Sequence, residues 1–295
     1  MNYYSSYSSR NYRQPKRRRP IKRIVFTALV ITFVIISGVI FLRKDTAEAP
    51  KTVDQTPQAA KVEDKPPQLP DLQPFVDNWV ANNPGTYSIA IMNVDGTLIA
   101  QNEPNMVMDP ASLYKLFVAY YGYQKVADGT YQANEPYAKG WTRLQCLDEM
   151  IRSSDSTCGE IMMEELGRQA VSEQMQTDGF KDSSLAQLQV SAYESALLLS
   201  RVYKGQGLTK EHKDAFLESL KTQNQDARYT RGLPSGIQQA TIYNKVGWRD
   251  TIVWHDTSII EFSNGKTIIV AVLTKNAGGF SNIARFGSEL EKVLQ

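Results

Sequence analysis

Two sets of strand-like runs stand at opposite ends of the body of this chain, and that separation limits how it can fold. Near the front, Thr86–Val94 is rich in β-formers, and Asp95-Gly96 is a turn into a second run, Thr97–Gln101. Near the end, Thr241–Val246, Thr251–Trp254, Ser258–Phe262 and Lys266–Thr274 follow, with Asn264-Gly265 as a hairpin turn. Between the two sets the apolar spacing is helical. Leu144, Leu147, Met150 and Ile151 mark one helix, and Ile161, Met162 and Leu166 another with Gly167 as its cap. A capping box at Ser191–Glu194 opens Leu197–Val202, and Thr209–Thr222 is a further helix. Amphipathic helices at Asp71–Asn82 and Ser281–Leu294 bracket the whole. A chain in this order is an α+β protein: an antiparallel sheet assembled from both ends, with an all-helical insert between them. There is no internal repeat.

The first 70 residues follow different rules. Residues 1–23 are rich in Ser and Tyr and then strongly basic, with Lys16, Arg17, Arg18, Arg19, Lys22 and Arg23. The stretch Ile24–Leu42 carries no charge. As a helix it would rise about 28 Å, close to the thickness of a bilayer core. The basic run then acts as a positive-inside flank. The expected organisation is a cytoplasmic tail (1–23), an uncleaved signal anchor (24–42), an extended linker (43–70) rich in Pro, Ala, Lys and Asp, and a globular domain (71–295) outside the cytoplasm. The competing reading, a cleaved signal peptide, calls for a shorter apolar region and a small-residue site close behind it. Thr46–Ala49 meets the second requirement weakly, because Arg43 and Lys44 intervene.

The formal net charge of +2 conceals an asymmetry. Ten of the 33 Lys and Arg lie in residues 1–44, which hold no Asp or Glu, so the remainder has 23 basic against 31 acidic residues. The body therefore offers no basic surface for nucleic acid. Its two cysteines, Cys146 and Cys158, form no CxxC and no Cys/His cluster, so neither a metal site nor any cofactor is expected. A disulfide between them and a pair of buried thiols are both compatible with the spacing.

One short stretch carries chemistry. In Asp109–Lys115, Asp109 suits a helix N-cap and Pro110 a first helical position, with Leu113, Leu116, Phe117 and Tyr120 recurring at helical spacing. Ser112 and Lys115, three apart, share a face of that turn. A lysine whose pKa is lowered can take the serine proton, and a helix N-terminus favours developing negative charge. Two further motifs join it: Ser154-Asp155-Ser156 in a break between helices, and Lys245-Val246-Gly247-Trp248 on a C-terminal strand.

These three elements, in this order, resemble the penicillin-recognising serine hydrolases, and most closely the class A β-lactamases. Met150–Thr157, Ala196–Gly205, Arg231–Ile237, Asn244–Trp248 and Trp254–Phe262 each stand where that family has a counterpart. The resemblance implies a three-layer α/β/α fold, with a five-stranded antiparallel sheet, flanking terminal helices and a helical subdomain. It also implies roles. Ser112 is the acylated nucleophile and Lys115 its proton acceptor or relay partner. Ser154 passes a proton to the leaving nitrogen, and Lys245 lowers local pKa values and holds Ser154. The backbone N–H groups of Ser112 and Trp248 form the oxyanion hole. Ser156, Val246 and Gly247 line the substrate, and Asp155 pins its loop.

The chain departs from the family pattern at three places. Ser156 replaces the asparagine that bonds the substrate amide. Val246 replaces a hydroxyl residue that binds the substrate carboxylate, for which Arg249 is a candidate substitute. The Glu-x-x-Leu-Asn loop, whose glutamate activates the deacylating water, is missing: Asp178–Gln189 leads almost directly into the helix at Ser191. Glu164, Glu165 and Glu173 read as exposed helix charges, and His212 as exposed on its helix. His255-Asp256 suggests a Ser-His-Asp triad, but no Gly-x-Ser-x-Gly elbow accompanies it.

Three functions follow from the resemblance. The default is a membrane-anchored hydrolase acting on β-lactams. The second is a D-Ala-D-Ala carboxypeptidase or transpeptidase acting on peptidoglycan stem peptides. The third is a weakly catalytic domain that binds cell-wall material. Retention of both lysines and both serines speaks against the third, since converging like charges are costly without a use.

Overall fold

The structure, a computed structural model, describes residues 68–223 and 232–295. The basic tail, the expected anchor and all but the end of the linker lie outside the described residues. Among the described residues, no helix is long and apolar enough to cross a membrane.

The body is built on one five-stranded antiparallel sheet in the order β2-β1-β5-β4-β3. Its strands are β1 (Thr86–Asn93), β2 (Leu98–Asn102), β3 (Ala240–Arg249), β4 (Val253–Phe262) and β5 (Thr267–Lys275). The N-terminal hairpin joins the C-terminal strands through β1 and β5, which pair from Thr86↔Lys275 to Asn93↔Ile268. The two ends of the chain thus make one sheet, as the strand distribution requires.

Period-two alternation sorts the sheet into two cores. From β5, Ile268, Val270 and Val272 face one side, where α1 (Gln73–Asn82) and α9 (Phe280–Leu294) cover them with Trp79, Phe286 and Leu290. Ile269, Ala271 and Leu273 face the other side and the helical insert. Both faces are buried, so residues 268–273 of β5 form an unbroken apolar run instead of alternating. The insert comprises α2 (Tyr114–Ala127), α3 (Arg143–Arg152), α4 (Ser156–Leu166), α5 (Arg168–Thr177), α6 (Ala192–Lys204) and α7 (Lys210–Thr222). The single turn α8 (Leu233–Gly236) precedes β3.

Several local expectations change. The runs Thr251–Trp254 and Ser258–Phe262 join into one strand, β4, across His255, Asp256 and Thr257, which are buried, while Thr251 and Ile252 fall in the turn before it. The helix α5 has no strong apolar periodicity, and the sequence did not reveal it. Ser191 caps α6 as expected, accepting from the Glu194 N–H at 3.3 Å. The Glu194 carboxylate instead accepts from the N–H groups of Asp182 and Ser183 at 2.9 and 2.6 Å, which ties down the preceding loop. His212 is buried, not exposed: its ring lies 5.2 Å from that of Tyr123.

Candidate active site

The turn before α2 is not the α-helical start that Asp109-Pro110 suggested. Ala111–Leu113 forms a 3₁₀ turn, closed by Leu113 N–H to Pro110 C=O at 2.8 Å, and α2 begins at Tyr114. Asp109 does not cap a helix. Its carboxylate accepts from Ala111 N–H at 2.9 Å and pairs with Arg249, so Arg249 is committed to an ion pair. Ala111 stands at φ 44°, in the left-handed region, directly before the nucleophile.

Lys115 is completely buried, and its Nζ lies among four oxygens: Ser112 Oγ at 3.2 Å, Ser154 C=O at 2.6 Å, Ser154 Oγ at 3.3 Å and Ser156 Oγ at 3.2 Å. An ammonium has only three protons to give. A neutral amine has two, plus a lone pair that can accept the Ser112 proton. Burial lowers the Lys115 pKa to about 8, against the opposing pull of the Asp155 and Glu160 charges. The base form is therefore accessible near neutral pH. Gly159 on α4 makes this approach possible, since a Cβ there would stand 2.9 Å from Lys115 Cε.

Lys245 on β3 is also completely buried and donates to Ser154 Oγ at 3.0 Å and to the Val246 carbonyl at 2.8 Å. Burial first, and then the charge of Lys115, push its pKa well below the usual lysine range. Ser154 sits between the two amines, at φ 56°. The loop around it is pinned as expected. Asp155 accepts from Cys158 N–H at 2.9 Å, capping α4, and pairs with Lys139. The Cys146–Cys158 alternatives also resolve: the two are disulfide-bonded, with Cα atoms 5.3 Å apart, bridging α3 to α4 around this loop.

The edge strand β3 supplies the other half of the site. Gly247 faces the nucleophile turn, where a Cβ would lie 2.9 Å from the Pro110 carbonyl and 3.1 Å from the Ser112 nitrogen. Val246 N–H points off the sheet edge to Gln223 Oε1 at 2.9 Å. Alternation along an antiparallel edge turns the Trp248 N–H, two residues on, off the same edge of the sheet. The Val246 side chain is fully buried on the opposite face, among the residues packed under α9, so this residue contributes its backbone and not a substrate-binding side chain. Ser156 is exposed at the mouth and reaches Lys115.

His255 and Asp256 form no triad. Thr274 N–H donates to His255 Nδ1 at 3.1 Å, so Nε2 carries the proton and donates to the Asp109 carbonyl at 2.8 Å. Asp256 lies on the other face of β4, accepting from Leu233 N–H, Asn244 and Ser258. Among the described residues, no carboxylate hydrogen-bonds to Ser112. The loop between α5 and α6 closes on itself through Ser184 and Gln189 and pairs Val190 with Met108. Glu165 instead binds the buried Arg143, and Glu164 pairs with Arg168. Sequence reasoning missed Gln223, His255 as a support, and Gly159; only Gly159, directly behind the Ser154 motif, left a local signal.

A sequence profile described as the β-lactamase enzyme family matches residues 71–292. A search of the curated proteins gives no match. Among solved structures, the fold is similar to "PBP-A" (19% identity, 77% of this chain and 98% of that one, TM-score 0.66). It is likewise similar to an ancestral class A β-lactamase of Gram-negative bacteria (15% identity, 77% and 100%, TM-score 0.67). A class A β-lactamase representative from Bacteroides cellulosilyticus matches at 16% identity (77% and 98%, TM-score 0.65). With a profile match spanning most of its length, and with Ser112, Lys115, Ser154 and Lys245 converged in one site, the chain belongs to the β-lactamase enzyme family and is a serine hydrolase of the acyl-enzyme type.

Proposed function

We propose that Ser112 is acylated by amides of the peptidoglycan stem-peptide type and by the β-lactams that mimic them, and that the body works outside the cytoplasmic membrane. The observation that carries this is the position of Lys115 Nζ, within hydrogen-bonding distance of both Ser112 Oγ and Ser154 Oγ. Lys115 takes the Ser112 proton as Oγ bonds to the substrate carbonyl carbon. The oxyanion is held by the two backbone N–H groups. As the C–N bond breaks, Ser154 gives its proton to the leaving nitrogen and is reprotonated from the lysine side. The product is an acyl-Ser112 ester and an amine, released from a peptide and retained on the acyl group of a ring-opened β-lactam.

Between rapid β-lactam hydrolysis and turnover of cell-wall peptides, the short, self-closed loop between α5 and α6 favours the second, because it lacks the Glu-x-x-Leu-Asn sequence whose glutamate activates the deacylating water in class A enzymes. Intact-mass measurement of the full chain in detergent, mixed with a penicillin, tests this. A long-lived adduct on Ser112, absent in Ser112→Ala, supports the peptidoglycan reading. Rapid turnover supports the β-lactamase reading. Neither adduct nor turnover would sink both.

Membrane attachment rests on the uncharged stretch Ile24–Leu42 behind a basic flank. Protease added to intact cells should then remove the body, and its protection would overturn the orientation.

A further inference from the structure

The C-terminus of a helix leaves carbonyls without partners, and the edge of a sheet leaves N–H groups without partners. One of each occurs beside the active site, and a single side chain satisfies both. Gln223, at the C-cap of α7, is completely buried. Its Nε2 donates to the Ile151 carbonyl in the last turn of α3 at 2.6 Å. Its Oε1 accepts from the Val246 N–H on the edge of β3 at 2.9 Å.

These two attachment points flank the catalytic groups. Ile151 is three residues before Ser154, and Val246 follows Lys245. Lys245 Nζ then closes the circuit by donating to Ser154 Oγ at 3.0 Å and to the Val246 carbonyl at 2.8 Å. The Ser154 loop belongs to the helical insert and Lys245 to the sheet, so nothing in the local sequence fixes their separation. Gln223 joins the two directly, one side chain bonded to both.

We propose that Gln223 is a positioning residue for acylation, setting the Ser154–Lys245 contact by tying the end of α3 to the edge of β3. Other side chains fail for stated reasons. Asparagine is one methylene too short to span both groups. Glutamate can accept from Val246 but faces the Ile151 carbonyl with a second acceptor. Methionine fills the space and leaves both backbone groups unpaired. The proposal rests on acylation at Ser112 and falls with it.

A double-mutant cycle on the full chain in detergent separates positioning from packing. The acylation rate constant and the non-covalent affinity for a fluorescent penicillin are measured for the unmutated protein, Gln223→Met, Ser154→Ala and the double variant, with Tm recorded for each. Gln223→Met is expected to slow acylation by about tenfold or more with affinity little changed, and to cost less than about threefold when Ser154 is already absent. Equal losses with and without Ser154, or a lowered Tm with an unchanged rate, would overturn the proposal. If Gln223→Met does not fold, Gln223→Glu, which keeps the Val246 bond, enters the same cycle with the same reading. Failure of the unmutated protein to acylate marks the loss of the underlying function instead.

Discussion

Gly247 lies against the Ser112 amide so closely that a methyl group on its Cα would stand 3.1 Å from the Ser112 nitrogen. Its other neighbours are the Pro110 carbonyl at 2.9 Å and the Leu113 nitrogen at 3.1 Å. All three are backbone atoms of one tight turn, so none can rotate aside. Gly247→Ala must push β3 away from the nucleophile, and the Trp248 N–H moves with it. Acylation by a β-lactam should fall by roughly a hundredfold, the scale of losing one oxyanion donor. The cost in stability should be only about 1–3 kcal/mol, as for other overpacked sites. A stopped-flow acylation rate equal to that of the unmutated protein would refute the placement of the hole.

Lys115 links catalysis to stability through pH. Its pKa is about 8 in the folded protein, against 10.5 ordinarily, because burial disfavours the ammonium. Between these values the unfolded chain binds more protons than the folded one, so stability rises with pH across that window and is lost below it. Lys115→Met lacks this dependence. The Tm difference between the two proteins should therefore shift in favour of the unmutated chain from about pH 7 to pH 10, and the acylation rate should rise through about pH 8. A pH-independent Tm difference would mean that Lys115 is not buried as described.

The pair Ser112–Lys115 was legible because three residues of helical rise place both side chains on one face, a local fact that the 3₁₀ turn preserves. The sheet was legible from where its β-rich runs fell. What escaped was set by contacts far apart in sequence. Gln223 reaches 72 positions back to Ile151, and His255 reaches 146 back to Asp109. Such residues carry no periodicity or motif of their own, and a buried glutamine reads like any other polar residue at a helix end. The gap placed in β4 had the same origin: His255, Asp256 and Thr257 interrupt the apolar run with polar residues, yet each is fully buried.

His255 provides a second pH test. Burial holds its pKa below 6.5, so the folded protein resists a proton that the unfolded chain accepts. Stability supported by His255 is present above pH 6.5 and declines as the pH falls through it. Protonation would also set an Nδ1–H against the Thr274 N–H, replacing an accepted hydrogen bond with a clash of two donors. The Tm gap between the unmutated protein and His255→Gln should narrow from about pH 7.5 to pH 5. The raised pKa of Asp256 acts in the opposite direction but is common to both proteins, so it drops out of the gap. A gap that stays constant would count against a neutral His255.

The Cys146–Cys158 disulfide closes a short loop that contains Ser154. Cross-linking a loop of about this length is worth roughly 3 kcal/mol, mostly by restricting the unfolded chain. In a domain of this size that corresponds to a Tm shift of about 6–12 °C. Such a bond persists in an oxidising compartment, which agrees with a body outside the cytoplasm. Both cysteines are fully buried, so reduction should proceed only as fast as the loop opens. The double variant Cys146→Ala/Cys158→Ala should show the lower Tm. It should also acylate more slowly, because the loop that carries Ser154 loses its covalent tie to α3 and keeps only hydrogen bonds and the Asp155 ion pair. Equal melting temperatures for the oxidised protein and the double variant would show that the bond contributes nothing to the fold, and an unchanged acylation rate would show that Ser154 does not need it.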